Sequence, residues 1–201
     1  MKRLVLSAAA LAAGLTLAPA AHAAVVLSDN FDGEVADDLN WDGDAVFFVS
    51  AGSVDLIGAG GAFDFYPGNG SYIDMDGSTG VGNDPAGQIT SFDSFGAGRY
   101  TLTFFLGGNA RNAPARTTRI SLGDWSTDIT LNANAPLTQY TFSFNTSGGA
   151  LVFTELGPSN QQGNILDNVA LAIPEPATWA MMILGFGAAG AMLRRRGLAL
   201  A

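Results

Sequence analysis

Between residues 24 and 173, apolar and polar positions alternate in short runs and do not recur at helical spacing. The runs are AVVLSDNF, AVFFVS, SVDLIG, SYIDMD, GQITSF, RYTLTFFL, TRISLG, STDITL, TQYTFSF, ALVFTEL and NILDNVALA, each bounded by Gly, Asn, Asp or Pro. In RYTLTFFL, Tyr100, Leu102, Phe104 and Leu106 share one face, as do Tyr140, Phe142 and Phe144 in TQYTFSF. Successive strand side chains point to opposite faces, so this period of two sends the large residues to a core and the Thr/Ser set to solvent. The 26 glycines gather in the turns, where positive φ is needed. Roughly ten or eleven strands at short spacing predict an all-β fold, a jelly-roll-type β-sandwich, with a closed up-and-down barrel as the alternative.

The two ends break the pattern. MKRLVLSAAALAAGLTLAPAAHA places Lys2 and Arg3 before an apolar run and ends at the small-residue site Ala21-His22-Ala23. That layout predicts a secretory signal peptide over residues 1–23, cut before Ala24 by signal peptidase. The last segment, residues 174–201, opens with Pro174, Glu175 and Pro176 and closes its apolar run with Arg194, Arg195 and Arg196. Thr178 to Leu193 as helix is about 24 Å, against about 30 Å of hydrocarbon, which makes a single short transmembrane helix. The arginines hold its end on the cytoplasmic side and place the domain of residues 24–173 outside. The prolines keep Glu175 in an extended, accessible stretch.

Composition then removes most chemistries. The chain has no Cys, and its only His and only Lys, His22 and Lys2, leave with the leader. Thiolate zinc sites and the usual serine, cysteine and imidazole-based catalytic sites cannot be built. No phosphate-binding glycine loop precedes a helix. Residues 24–173 hold 17 acids against four arginines (Arg99, Arg111, Arg116, Arg119), a net charge of −13. Such a surface repels phosphate backbones, so nucleic acid is not expected as a partner. An enzyme on this chain would run on carboxylates alone, as glycosidases do with two acids.

Three groups of residues are candidates. Asp74 and Asp76 in SYIDMDGSTG share the strand face opposite Ile73 and Met75, about 7 Å apart, where they would hold a cation, flank a sugar or simply face solvent before an Asp-Gly turn. Asp29, Asn30 and Asp32 at the start of the domain and Asp167 and Asn168 in its final strand offer oxygens of the kind calcium takes, or merely end strands. Trp41, in the polar loop Asp32–Asp44, and Trp125, at the start of a strand, would stack on pyranose rings if exposed and otherwise belong to the core. Phe63, Phe65 and Tyr66 crowd a Gly-rich stretch, and the loop Gly107–Arg116 carries two of the four arginines.

The tail, with Pro174, Glu175 and Pro176 followed by Trp179 and Ala180, an apolar run and the arginines, resembles the PEP-CTERM sorting domain in its PEPxxWA form. The resemblance implies recognition by an exosortase, cleavage near the triplet, a transient inner-membrane anchor and a final place at the cell surface or in the extracellular matrix, in company with exopolysaccharide. The stretches NFDGE, GSVDLIG, GNGSYIDMDGSTG, AGRYTLTFFLGGNARN and GNILDNVAL look like blocks of PEP-CTERM proteins and, more distantly, of galactose-binding-like β-sandwiches such as the DUF642 domain and carbohydrate-binding modules. That likeness implies a jelly roll, a structural calcium near the domain ends and a non-catalytic, carbohydrate-binding role. A carboxylate-based glycan-active hydrolase is the alternative.

Overall fold

The computed structural model describes residues 23–35, 37–79, 85–111, 114–174, 183–188 and 190–191. Twelve strands follow one another: β1 (Ala24–Asp29), β2 (Asp38–Trp41), β3 (Phe47–Ala51), β4 (Val54–Gly58), β5 (Ser71–Asp74), β6 (Gln88–Phe95), β7 (Gly98–Gly107), β8 (Arg116–Leu122), β9 (Trp125–Leu131), β10 (Thr138–Thr146), β11 (Gly149–Leu156) and β12 (Ile165–Ile173). They form two sheets, A in the order β10-β7-β12-β5-β4-β2 with β1 also paired to β12, and B in the order β3-β6-β11-β8-β9. Neighbours along both orders run antiparallel. The fold is the expected β-sandwich, and the barrel alternative is set aside by the separate sheets.

Alternation places the core. Tyr100, Leu102, Phe104 and Leu106 of β7 face Ile120 and Leu122 of β8 and Leu151 and Phe153 of β11, all buried. Phe104 and Phe153 meet edge to face, 5.4 Å between centroids. Each such side chain contributes about 1.5–3 kcal/mol on burial, which lets a chain without disulfides close.

Two segments depart from the sequence pattern. The first polar loop contains β2, which pairs with β4 at Asp38↔Leu56 and Trp41↔Val54 and is irregular between, with Asn40 at φ +63°. Trp41 is therefore buried in the core, edge-on to Phe31, instead of displaying a face for a sugar. Its indole Nε1 donates to Glu34 Oε2 at 2.6 Å, which satisfies the polar end of the ring.

The second is the outer face of sheet A. Ile57, Tyr72 and Ile165 form a small second core there, covered by Phe65 and Tyr66 from the β4–β5 loop. The loop is pinned by its own backbone. Tyr72 Oη accepts from the amides of Phe65 and Tyr66 at 2.5 and 3.0 Å, and Tyr66 Oη donates to the carbonyls of Gly108 and Ala135. Gly70 closes the loop at φ +75°, with Asp32 where a Cβ would stand.

Val25–Ile173 is one compact unit; the two chain ends, Met1–Ala24 and Pro174–Ala201, belong to another. In that second unit residues 183–188 and 190–191 are helical. No helix among the described residues is long and apolar enough to cross a membrane. Residues 1–22 of the signal-peptide segment, and Glu175, Pro176, Trp179, Ala180 and Arg194 to Arg196 of the sorting motif and basic end, lie outside the described residues.

Candidate functional site

Asp74 and Asp76 do not face solvent. Both are buried, because the face opposite Ile73 and Met75 is covered by the β11–β12 loop and by two arginines. Asp74 Oδ1 accepts from the amides of Asp76 and Gly163 at 3.1 and 2.8 Å, and its Oδ2 is ion-paired with Arg111. Asp76 Oδ2 accepts from Arg116 Nη2 at 3.2 Å and from the amide of Asn160 at 2.7 Å. Arg116 is buried between the sheets, where its Nε also donates to Glu155 Oε1 at 3.2 Å and its Nη1 to the Pro158 carbonyl at 3.0 Å. Thr118 Oγ1 donates to the other Glu155 oxygen at 2.7 Å. The network ties β5, β8, β11 and the β11–β12 loop together at one end of the sandwich.

Its environment raises two acids. Burial pushes Asp74 up to about 7, against the opposing pull of Arg111 and the two amides. Burial also raises Glu155, opposed by Thr118 and Arg116.

Above Asp74 lies a cleft of about 200 Å³, lined by Asp55, Ile57, Phe63, Asp74, Ser78, Arg111, Asn160, Gln161 and Gln162. Arg111 lies over the ring of Phe65, 5.0 Å from guanidinium carbon to centroid, and keeps 27% of its side chain exposed. Phe63 is 40% exposed. Asp55 stands directly across from Asp74 in the β4–β5 register. Asp55 Oδ1 takes the amides of Asn40 and Ser78 at 2.7 and 3.0 Å, and its Oδ2 takes Ser78 Oγ at 2.7 Å. Gln161 is held at φ +63° with its Nε2 on the Ser78 carbonyl, and Ala110, beside Arg111, at φ +54°. Non-glycine residues in this region are strained and gather at functional sites.

The residues at the domain ends converge in part: burial pushes the Asp167 carboxyl up to about 6, and the charge of nearby Asp32 adds to the rise. Asp29 stands by Asp44 and Glu34 at a second cleft of about 300 Å³, where burial and the neighbouring Asp44 push its carboxyl up to about 7. Its Oδ1 accepts from the Phe31 amide at 2.9 Å, while its Oδ2 is buried without a partner. Asn30 donates to Asp32 Oδ2, and Asp32 Oδ1 accepts from the Ser71 amide. The two oxygens of Asp167 accept from the backbone and side-chain nitrogens of Asn168, which sits at φ +50° in a bulge of β12. Among the described residues no three acidic side chains are arranged as metal ligands. Trp125 stacks face to face on Phe144, 3.7 Å between centroids and 8° apart, so that ring face is occupied.

Sequence alone marks Phe63 and the arginine-bearing loop but not their partners. Asp55, Ser78 and Asn160 to Gln162 carry no signal of their own; only the strand pairing and two loops bring them to Asp74.

Residues 172–196 match the family described as the PEP-CTERM protein-sorting motif. No curated protein sequence matches the chain. Among solved structures, the K2 cleaved adhesin domain of Lys-gingipain, a protein of Porphyromonas gingivalis, is 12% identical, with a TM-score of 0.51 over 73% of this chain and 98% of that one. The CBM22-1 xylan-binding domain of Paenibacillus barcinonensis Xyn10C gives 14% identity and a TM-score of 0.45 over 79% and 100%. A family 35 carbohydrate-binding module of Clostridium thermocellum gives 18% and 0.37 over 62% and 90%. At 12% identity the likeness to the adhesin domain concerns the fold alone. The chain is thus a β-sandwich whose tail carries the PEP-CTERM protein-sorting motif, which implies export, processing by exosortase and a surface or extracellular destination.

Proposed function

We propose that the sandwich is a non-catalytic glycan-binding module that works outside the cell, associated with exopolysaccharide, and that the Phe63–Arg111 cleft is its sugar site. One observation carries this reading. The cleft combines an exposed aromatic ring and an arginine with the amide side chains of a strained loop, while its two acids are used up internally. Amides donate and accept, as sugar hydroxyls do, and a phenyl face suits the C–H face of a pyranose.

The hydrolase alternative fares worse on the same geometry. Asp55 and Asp74 face each other across adjacent strands, at a separation of about 5 Å that a retaining pair would need. Yet all four of their oxygens already accept hydrogen bonds or an ion pair, an arrangement that fits a structural role better than attack on a glycosidic bond.

Around this module the sequence supplies the route: a leader removed by signal peptidase, a transient inner-membrane anchor and release by exosortase to the surface or matrix. A structural calcium is part of the proposal, with the donors narrowed to the neighbourhood of Asp29, whose buried Oδ2 lacks a partner beside Asp44. Asp167 and Asn168 are spent on each other.

The test is affinity electrophoresis of the full chain through gels containing soluble polysaccharides, with and without calcium. Retardation by at least one glycan, abolished by Phe63→Ala or Asn160→Ala, is expected. Wild-type mobility unchanged in every gel would sink the reading.

A further inference from the structure

The outer face of sheet B carries a second feature that the cleft does not use. Phe47 and Val49 of β3 point into the core, which turns Phe48 and Ser50 outward. On β6, Ile89 and Ser91 are buried, and Phe92 stands 59% exposed on the outer side. The two outward rings lie 4.8 Å apart, tilted by 41°. A single exposed phenylalanine needs no explanation, but a paired one at the margin of a flat sheet makes an apolar platform.

The platform continues into an ordered polar surface. Cross-strand register lines up Phe48, Thr90, Val152, Ser121 and Ser126 over all five strands, about 19 Å at ordinary strand spacing. In the next row the side chains are locked to each other: Ser50 Oγ and Thr90 Oγ1 are 2.7 Å apart, Gln88 Nε2 donates to Ser50 Oγ at 2.8 Å, and Thr154 Oγ1 donates to Gln88 Oε1 at 3.0 Å. Rotamers that are already fixed lose little entropy on binding.

Charge chooses the occupant. In these rows the ionised side chains are Arg119 and Asp128, joined by a bidentate pair at 2.7 and 2.8 Å that cancels both. These rows therefore carry no net charge on a domain of net charge −13. An anionic polymer is repelled by the rest of the surface and gains no cation here; a basic protein would find its acids elsewhere.

We propose that this face binds an uncharged polysaccharide chain, whose sugar C–H faces rest on Phe48 and Phe92 while its hydroxyls meet the Ser/Thr/Gln row. The surface is separate from the Phe63–Arg111 cleft, which opens on the outer face of the other sheet. A module with one glycan contact on each outer face bridges two chains, and bridging raises avidity without new contacts.

The experiment uses the full chain in a polyoxyethylene detergent, which carries no sugar, in gels of uncharged β-glucan, arabinoxylan and galactan, with alginate as the anionic control. Phe92→Ser and Phe48→Ser are each expected to weaken retardation in an uncharged gel by about tenfold, with a further loss in the double variant. Phe92→Tyr keeps it, and circular dichroism and melting of Phe92→Ser stay close to the parent because Phe92 is exposed. Phe63→Ala in the same gels separates the two readings. If Phe63→Ala abolishes retardation while Phe48→Ser and Phe92→Ser leave it unchanged, the cleft stands and this inference falls. If only the Phe48 and Phe92 variants lose it, the inference stands and the cleft reading falls; retardation by alginate alone, or by nothing, overturns the inference. Concentration-dependent dimers that Phe92→Ser dissolves would assign the face to a second copy of the chain and overturn it too.

Discussion

Arg116→Met is the sharpest test of the buried network. The arginine makes three hydrogen bonds, to Glu155, Asp76 and the Pro158 carbonyl, and methionine keeps most of its apolar length while removing all three. Asp76 retains the Asn160 amide, and Glu155 keeps Thr118 Oγ1 and the Asn164 amide but no cation, in the interior between the sheets. Breaking one partner from a buried ion pair costs about 3–5 kcal/mol, because a charge is left uncompensated. For a domain of this length that is roughly 6–20 °C in Tm. The sign of the pH dependence is set by Glu155, whose folded pKa is already raised by burial. A raised carboxyl stabilises the fold below its unfolded pKa, and that contribution disappears as pH rises through the folded value. Loss of Arg116 raises Glu155 further, so the deficit of Arg116→Met should be largest at pH 8 and shrink toward pH 5. Adding Glu155→Gln should recover part of the loss at pH 8. Thermal unfolding followed by Trp fluorescence at the two pH values reads all three. A variant melting within about 2 °C of the parent at pH 8 would refute the reasoning, since that is under about 1 kcal/mol.

The other predictions are shorter. Asp74, pushed up to about 7 from an unfolded value near 3.8, favours the fold below pH 4 and loses that contribution as pH rises through 7; Asp74→Asn should flatten the fall in Tm between pH 5 and 8. Gly163→Ala places a Cβ 2.4 Å from the Asp76 amide nitrogen and 2.8 Å from Asp74 Oδ1, and should lower stability by about 1–3 kcal/mol and weaken glycan retardation, both read on the same preparation. Calcium should raise Tm and a chelator lower it, with Asp29→Ala abolishing the difference; equal melting in both buffers would remove the metal. Intact mass of protein from cells that carry exosortase should lack the segment after the Pro174–Pro176 triplet, and a mass retaining Ala201 would contradict cleavage.

Eleven of the twelve strands are legible as β-rich runs bounded by turn residues, and in several, such as β7 and β8, inward and outward positions also differ in burial. The exception, β2, is a four-residue DLNW with a left-handed Asn40 in its middle, so no alternation survives to be read. For Asp74 the alternation identified the correct face, opposite Ile73. It carried no information that distant loops would cover that face, since Arg111, Arg116 and Asn160 come from 35 to 86 residues away. The same holds for Trp41, whose polar neighbours in sequence concealed Phe31, itself packed against Phe47, as its neighbour in space.

The fate of the four core arginines bears on what the protein meets outside the cell. Arg111 is spent on Asp74, Arg116 on Asp76 and Glu155, and Arg119 on Asp128, which leaves Arg99 as the one without an ion pair among the described residues. The positive charge that net counting assigns to the surface is therefore mostly consumed by acids of the same domain, two of these pairings in the interior. A polyanion approaching the domain meets net −13 with no cationic patch to offset it, whereas a neutral glycan meets amides, hydroxyls and aromatic rings that carry no opposing field. Electrostatics of this kind sets encounter rates as well as selectivity, so binding to an uncharged chain should hardly change with salt. Retardation that falls steeply between 50 and 500 mM salt, on the order of the counterion dependence of phosphate binders, would mean that charge, and so a different ligand class, governs the contact.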